Sequence, residues 1–229
     1  MQGKLAHVQC VCDRDPDCTS FAAVCRDPRM GWVGSSVLSQ PATVPGERSN
    51  CSGAIAFFFS FFTIWTNFLI AIGTIFTFVT PKSSAGEFFS RPEVQTGTAI
   101  YIAVVGIVYS LVLRELWSPA GAQKIADLLL HDVVPLAYFV YWLLFVPKSS
   151  LRWKHALWWL AYPFAYLIYT MVRGRIVGTY PYPFLDVTGL GYGRELANAL
   201  VLLVVFLGIG LLIIALSRRR ARSTDMSSN

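Results

Sequence analysis

The sequence predicts an all-α fold, a polytopic bundle of five transmembrane helices, and three observations predict it. The 229 residues are 55% hydrophobic and only 14% charged, where a soluble domain carries about a quarter charged residues. The apolar residues gather into runs near 54–79, 97–117, 125–146, 153–172 and 196–217. In these runs they wrap every face rather than one stripe, which leaves no side for water. The mean hydropathy is +0.52. The net charge of +6 resembles a nucleic-acid signal only until it is placed. Its basic residues stand mostly at helix ends, and no zinc finger, phosphate-binding loop or dinucleotide fingerprint accompanies them.

Residues 1–51 differ from the rest. All five cysteines are here: Cys10, Cys12, Cys18, Cys25 and Cys51. The segment is rich in Asp, Arg, Pro and Ser, and its longest apolar run is too short and broken to span a bilayer. It lacks the basic start and apolar h-region of a signal peptide. A metal site is one reading, although no spacing matches a standard zinc pair. Disulfides are another, although five is an odd number. A disordered or mis-assigned start is the third, and it is the expectation carried forward. Residues 52–217 then form the bundle and 218–229 a basic tail.

The first run, 54–79, holds no charge and at helical rise would reach about 39 Å, enough for a bilayer core. Helical spacing sets Ser60, Thr63, Asn67, Thr74 and Thr77 near one face, with Thr66 beside it. Such a stripe packs on neighbouring helices through hydrogen bonds. The second run, 97–117, carries Arg114 near its end.

The third run carries His131, one of three histidines and the one set well inside a membrane-length apolar stretch, since His155 stands at the edge of the fourth run. An ionisable residue there is a functional candidate by default. Lys124, Asp127, His131, Tyr138 and Trp142 share its face. Asp127, one turn before His131, is placed to orient the imidazole. Asp132 points about 100° away. Pro135 has no N–H for the carbonyl of residue 131, so it frees that acceptor and bends the helix.

The fourth run is 153–172. After it, residues 173–195 read RGRIVGTYPYPFLDVTGLGYGRE, with too many Gly and Pro for a helix and too many aromatics for a flexible linker. This segment is expected to be an irregular outer loop, an interfacial plug or lid. Asp186 in it either faces a cavity or pairs with Arg173, Arg175 or Arg194. The fifth run, 196–217, leads into Arg218, Arg219, Arg220 and Arg222.

Orientation follows from Lys and Arg. Lys82, Arg91, Lys148, Arg152, Lys154 and the four tail arginines fall on one side, and Arg114, Lys124, Arg173, Arg175 and Arg194 on the other, nine against five. The richer side is expected to be cytoplasmic, with the C-terminus inside. Depth then pairs two residues. Thr63 would lie about 13 Å in from its end of helix one and His131 about 10 Å in from its end of helix three.

At these residues the chain resembles a family. FFTIWTNFL, LLLHDVVP and YPFLDVTG look like segments of an uncharacterised, usually six-helix, bacterial multi-pass membrane protein family. That family is distantly similar to the androgen-induced-gene-type membrane hydrolases, which cleave fatty acid esters of hydroxy fatty acids with an intramembrane threonine and a histidine. The resemblance implies Thr63 as nucleophile, with Thr66 as its substitute where motif spacing drifts, and His131 as base. The family's first helix has no counterpart here, its place being taken by residues 1–51.

The function expected is a lipid ester hydrolase of the bacterial plasma (inner) membrane. Thr63 and His131 are its catalytic candidates, and Asn67, Asp127 and Asp186 the supporting ones. Membrane lipids are the expected partners and an acyl ester the expected substrate. No nucleic acid, metal or organic cofactor is called for. A non-catalytic multi-pass protein is the alternative, and a small transporter a weaker one. The lack of a mid-helix lysine for a Schiff base argues against a retinal protein.

Overall fold

The computed structural model describes residues 9–10, 25–27, 31–32, 51–116 and 118–227. Before the bundle it contains strands β1 (Gln9–Cys10), β2 (Cys25–Asp27) and β3 (Gly31–Trp32), each two or three residues long and antiparallel in the order β1-β2-β3. Cys12, Cys18 and the side chains of Cys10, Cys25 and Cys51 lie outside the described set, and with them the three readings of the tail.

The remainder is helical. α1 is Cys51–Phe58, α2 Phe62–Val79 and α3 Ser84–Phe89. α4, Pro92–Val108, continues through a π turn at Tyr109–Leu113 and a 3-10 turn at Arg114–Leu116. α5, Ala122–Leu128, runs through a π turn at Leu129–Val133 into α6, Val134–Phe145. α7 is Trp153–Val177, α8 Val187–Leu190 and α9 Tyr192–Ser227. Among the described residues, four helical stretches are long and apolar enough to cross a membrane: Phe62–Val79, Pro92–Leu116, Ala122–Phe145 and Tyr192–Arg219. The chain is therefore an all-α integral membrane bundle. α7 is an additional helix of 25 residues, about 37 Å at helical rise, whose Trp and Tyr content makes it less apolar than those four.

α4 is the central element. Its spanning window is 56% buried, against 17–22% for the other three, and it contacts α2, α6, α7 and α9. Small residues allow this. A side chain at Gly97 would strike the Trp159 ring at 2.6 Å, and one at Gly106 would lie 3.3 Å from the His131 carbonyl. The Trp159 indole donates to the Glu93 carbonyl at 2.8 Å, and the Trp142 indole to Thr96 Oγ1 at 3.0 Å. α4 is thereby tied to α7 and α6.

The first apolar run is not one helix. It breaks between α1 and α2, and Phe61 at the break is extended, with no side chain capping α2. Three bulky residues in a row, Phe57, Phe58 and Phe59, precede the break, and Ser60 turns its hydroxyl back to the Phe57 carbonyl, a local bond that competes with helix. Thr63 consequently stands in the first turn of α2 rather than deep within a continuous span.

The two in-helix prolines are accommodated differently. Pro163 in α7 leaves the Trp159 carbonyl without its helical donor, and the Tyr101 hydroxyl from α4 donates to that carbonyl at 2.9 Å. Pro135 follows the π turn at Leu129–Val133, and the carbonyl it frees, that of His131, faces Gly106 of α4. The 173–195 segment is more ordered than an irregular loop. α7 continues to Val177 and ends on left-handed Gly178 (φ 74°), a conformation that favours glycine. A 3-10 turn at Pro183–Leu185 and the short α8 follow before α9.

Candidate functional site

Beside the break in the first run lies a cavity of about 620 Å³, its open mouth included. Sixteen residues from α2, α4, its π turn, α7, the 178–191 connection and α9 line it, and only Thr63, Tyr166 and Tyr182 among them carry polar side chains. The walls are aliphatic and aromatic, with Val104 and Val105 of α4 facing Leu203 and Phe206 of α9. The cavity is thus apolar along most of its walls, with its polar side chains gathered at the end beside Thr63.

The polar end is built on the α2 break. Thr63 is 6% exposed, and the Tyr182 hydroxyl interacts with its side chain and with the backbone of Phe62 and Thr63. The first N–H groups of a helix have no partner within it. The Tyr182 phenol thus lies beside the first turn of α2. Burial pushes the Tyr182 phenol above its ordinary value, and the contact with Thr63 works against that rise. Tyr182 is fixed by a parallel stack on Phe184, centroids 5.1 Å apart, and an edge contact on Phe61 at 5.7 Å. The Tyr166 hydroxyl donates to the Ser60 carbonyl at 2.7 Å, which holds the break against α7.

His131 sits in a second constellation. It is 8% exposed, and its ring stacks on Tyr109 at 3.9 Å between centroids. Nδ1 lies 3.1 Å from both the Asp127 carbonyl and Asp127 Oδ1. The Tyr109 hydroxyl donates to Asp127 Oδ2. Arg114 pairs with Asp132 at 2.5 Å and rests over the Tyr109 ring at 5.0 Å. Asp132 thus serves the arginine, while Asp127 serves the imidazole. Both π turns, 109–113 and 129–133, contribute their aromatic or imidazole ring to this cluster. π turns of this kind often mark functional sites.

The two constellations are neighbours. Asn67 Nδ2 donates to the Thr63 carbonyl at 2.9 Å and to the Leu130 carbonyl at 3.4 Å, so one amide bridges α2 to the π turn of His131. That amide nitrogen is engaged with backbone, a strut rather than a free donor. Among the described residues no hydrogen bond joins Thr63 to His131, and His131 is not part of the cavity lining. Thr66 turns away, its hydroxyl donating to the Phe62 carbonyl at 2.9 Å and lying 3.4 Å from the Tyr162 hydroxyl. Asp186 takes neither role expected of it. It caps α8, accepting from the Thr188 N–H at 2.9 Å and from the Thr188 hydroxyl.

Two participants escaped the sequence. Tyr109 lies in an apolar run where nothing distinguishes it from a lipid-facing tyrosine. Glu195 is fully buried, yet as a charged residue it marked the end of the fifth apolar run and so was assigned to the loop. No family model, curated protein or solved structure matches the chain.

Proposed function

We propose that this protein is a membrane-embedded hydrolase of lipid acyl esters. The observation that carries the reading is the position of Thr63, whose side chain stands at the polar end of an otherwise apolar intramembrane cavity. The acyl chain would enter the cavity from the bilayer and bring its carbonyl to Thr63. The Thr63 hydroxyl attacks that carbon, forming a threonyl ester and expelling the alcohol. Water then hydrolyses the threonyl ester. Tyr182, which lines the same cavity as Thr63, would donate to the developing oxyanion.

His131 is the base in this reading. With Nδ1 turned to Asp127, the second ring nitrogen, Nε2, makes no hydrogen bond among the described residues. A neutral imidazole held this way presents Nε2 as its acceptor. It would take the Thr63 proton and return it to the leaving alcohol. Closure of the gap between the two residues accompanies substrate binding, since catalytic hydrogen bonds often tighten only in the complex. The reading also places the chain with the six-helix bacterial family it resembles, in the plasma membrane with its basic C-terminal tail in the cytoplasm.

The non-catalytic reading is favoured by one observation, the engagement of His131 with Tyr109 and Asp127 rather than with Thr63. A panel of fluorogenic acyl esters on purified protein separates the two. Thr63→Ala and His131→Asn are each expected to lower kcat/KM by about 10²–10⁴-fold, with Thr63→Ser keeping part of the activity. Absence of turnover in the wild type, or turnover unchanged in both variants, selects the non-catalytic protein.

A further inference from the structure

The end of the α7–α9 pair away from the 178–191 connection is basic. The two helices pack antiparallel, and the Arg218 guanidinium of α9 rests over the Trp153 ring that opens α7, 5.4 Å from its centroid. Arg152 and Lys154 flank Trp153 in the chain, and Arg219 follows Arg218. All four cations are exposed. Arg152 and Lys154 both act electrostatically on His155, in the first turn of α7. The carboxylate that acts on the same imidazole is Glu93 of α4, which is half-buried. Among the described residues Arg152, Lys154 and Arg218 join no ion pair, so this end of the pair keeps a net positive field.

The depth of the cluster is marked twice. Arg218 stands at the last position but one of the membrane-length stretch Tyr192–Arg219. Trp153 is 47% exposed and Trp158 73%, and exposed tryptophans gather at the level of lipid head groups. The cations therefore stand where hydrocarbon gives way to water.

Lys148, between α6 and α7, is used differently. Its ammonium donates to the Trp142, Leu143 and Val146 carbonyls at 3.0, 3.0 and 2.7 Å, which ties it to the end of α6. The contact of Arg218 does not consume its donors. A guanidinium over an aromatic face keeps its N–H groups in its own plane, free to meet an anion. Phosphate is the anion that such a fork binds best, through paired hydrogen bonds.

We propose that this end of the α7–α9 pair binds the head group of an anionic phospholipid. Arg218, held by Trp153, takes the phosphate together with Arg152 and Lys154, and the acyl chains lie along the exposed Leu157 and Trp158 of α7. The occupant is a lipid because the cluster lies at the membrane surface, where anionic head groups are the concentrated anions.

The site is separate from the Thr63 cavity and stands whether or not the protein is a hydrolase. Its test uses the full-length protein in dodecyl maltoside micelles, with the unfolding temperature followed as dioleoylphosphatidylglycerol or dioleoylphosphatidylcholine is added. Both lipids carry the same acyl esters, so occupancy of the Thr63 cavity does not tell them apart. A saturable rise with phosphatidylglycerol, absent with phosphatidylcholine and weakened by NaCl, is expected. Arg152→Gln combined with Arg218→Gln should raise the half-saturating lipid fraction about tenfold or more. Trp153→Leu keeps every charge but releases Arg218, and should raise it about threefold. Lys82→Gln combined with Arg91→Gln removes the same charge between α2 and α4, and should leave it unchanged. An equal response to the two lipids, or equal weakening by the two double variants, overturns the proposal in favour of general surface charge. So does an equal rise with glycerol phosphate, which would mark a site for a soluble phosphate.

Discussion

Tyr109 and His131 lie face to face, ring centroids 3.9 Å apart and planes 14° from parallel. Each ring comes from a π turn, one ending α4 and the other joining α5 to α6. Asp127 closes the arrangement, touching the imidazole with one oxygen and the phenol with the other. The ionisable group that the membrane should penalise is thus enclosed by an aromatic face and a carboxylate, with Arg114 at the rim.

The two contributions of Tyr109 are separable. Tyr109→Phe keeps the stacked ring but removes the donor to Asp127, and is expected to cost about 1–3 kcal/mol. Tyr109→Ala removes the ring as well, and should cost about 3–5 kcal/mol. Thermal or denaturant unfolding in detergent measures both. Equal losses would show that the ring contact with His131 contributes nothing of its own.

Helix approach at α4 should depend on which glycine is changed. A methyl at Gly97 meets Trp159 at 2.6 Å, and that indole is pinned by its bond to the Glu93 carbonyl. Gly97→Ala is therefore expected to lose about 1–3 kcal/mol through overpacking. A methyl at Gly106 meets its nearest atoms at 3.3 and 3.4 Å, so Gly106→Ala should be much milder, offset by the helix propensity of alanine. Comparison of unfolding temperatures tests the order. A Gly106→Ala loss as large as that of Gly97→Ala would contradict this account of the packing.

Tyr182 gives a pH signature. Its phenol is pushed above the ordinary value by burial, so the unfolded chain loses this proton before the folded one does. The stability held by Tyr182 is then fully present below about pH 10, the unfolded value, and declines as pH rises towards the folded value. In unfolding experiments between pH 8 and 11, Tyr182→Phe should show a shallower alkaline loss than the wild type. Identical slopes would mean that Tyr182 is not enclosed between Thr63 and Phe184.

The sequence carried the bundle because a long apolar run in lipid must satisfy its own backbone hydrogen bonds, and a helix does so within the segment. It carried Asp127 because helical spacing alone sets it one turn from His131. Thr63 was legible as a polar residue on an inward face, but not as the first turn of a broken helix. A run of phenylalanines is equally compatible with a continuous span, and the break is held by the Tyr166 hydroxyl on the Ser60 carbonyl, 106 residues away in the chain. Asp186 read as a charge that either faced the cavity or paired with an arginine, whereas in the structure it caps α8. Glu195 was hidden for a related reason, since a charge at the edge of an apolar run looks like the end of the run. Tertiary placement, not residue type, decided each of these.

The same reasoning makes the Tyr101–Pro163 relationship testable in full. Pro163 cannot donate to the Trp159 carbonyl, and the Tyr101 hydroxyl does so from α4 at 2.9 Å. Removing that hydroxyl with Tyr101→Phe leaves a buried acceptor unmet, at a cost of about 1–3 kcal/mol. In a Pro163→Ala background the new alanine N–H can supply the missing helical bond. Tyr101→Phe should then cost only a few tenths of a kcal/mol, giving a coupling of about 1 kcal/mol or more across the double-mutant cycle. Unfolding free energies of the wild type, the two single variants and the double variant complete the measurement. Additive losses would show that the tyrosine does not compensate the proline.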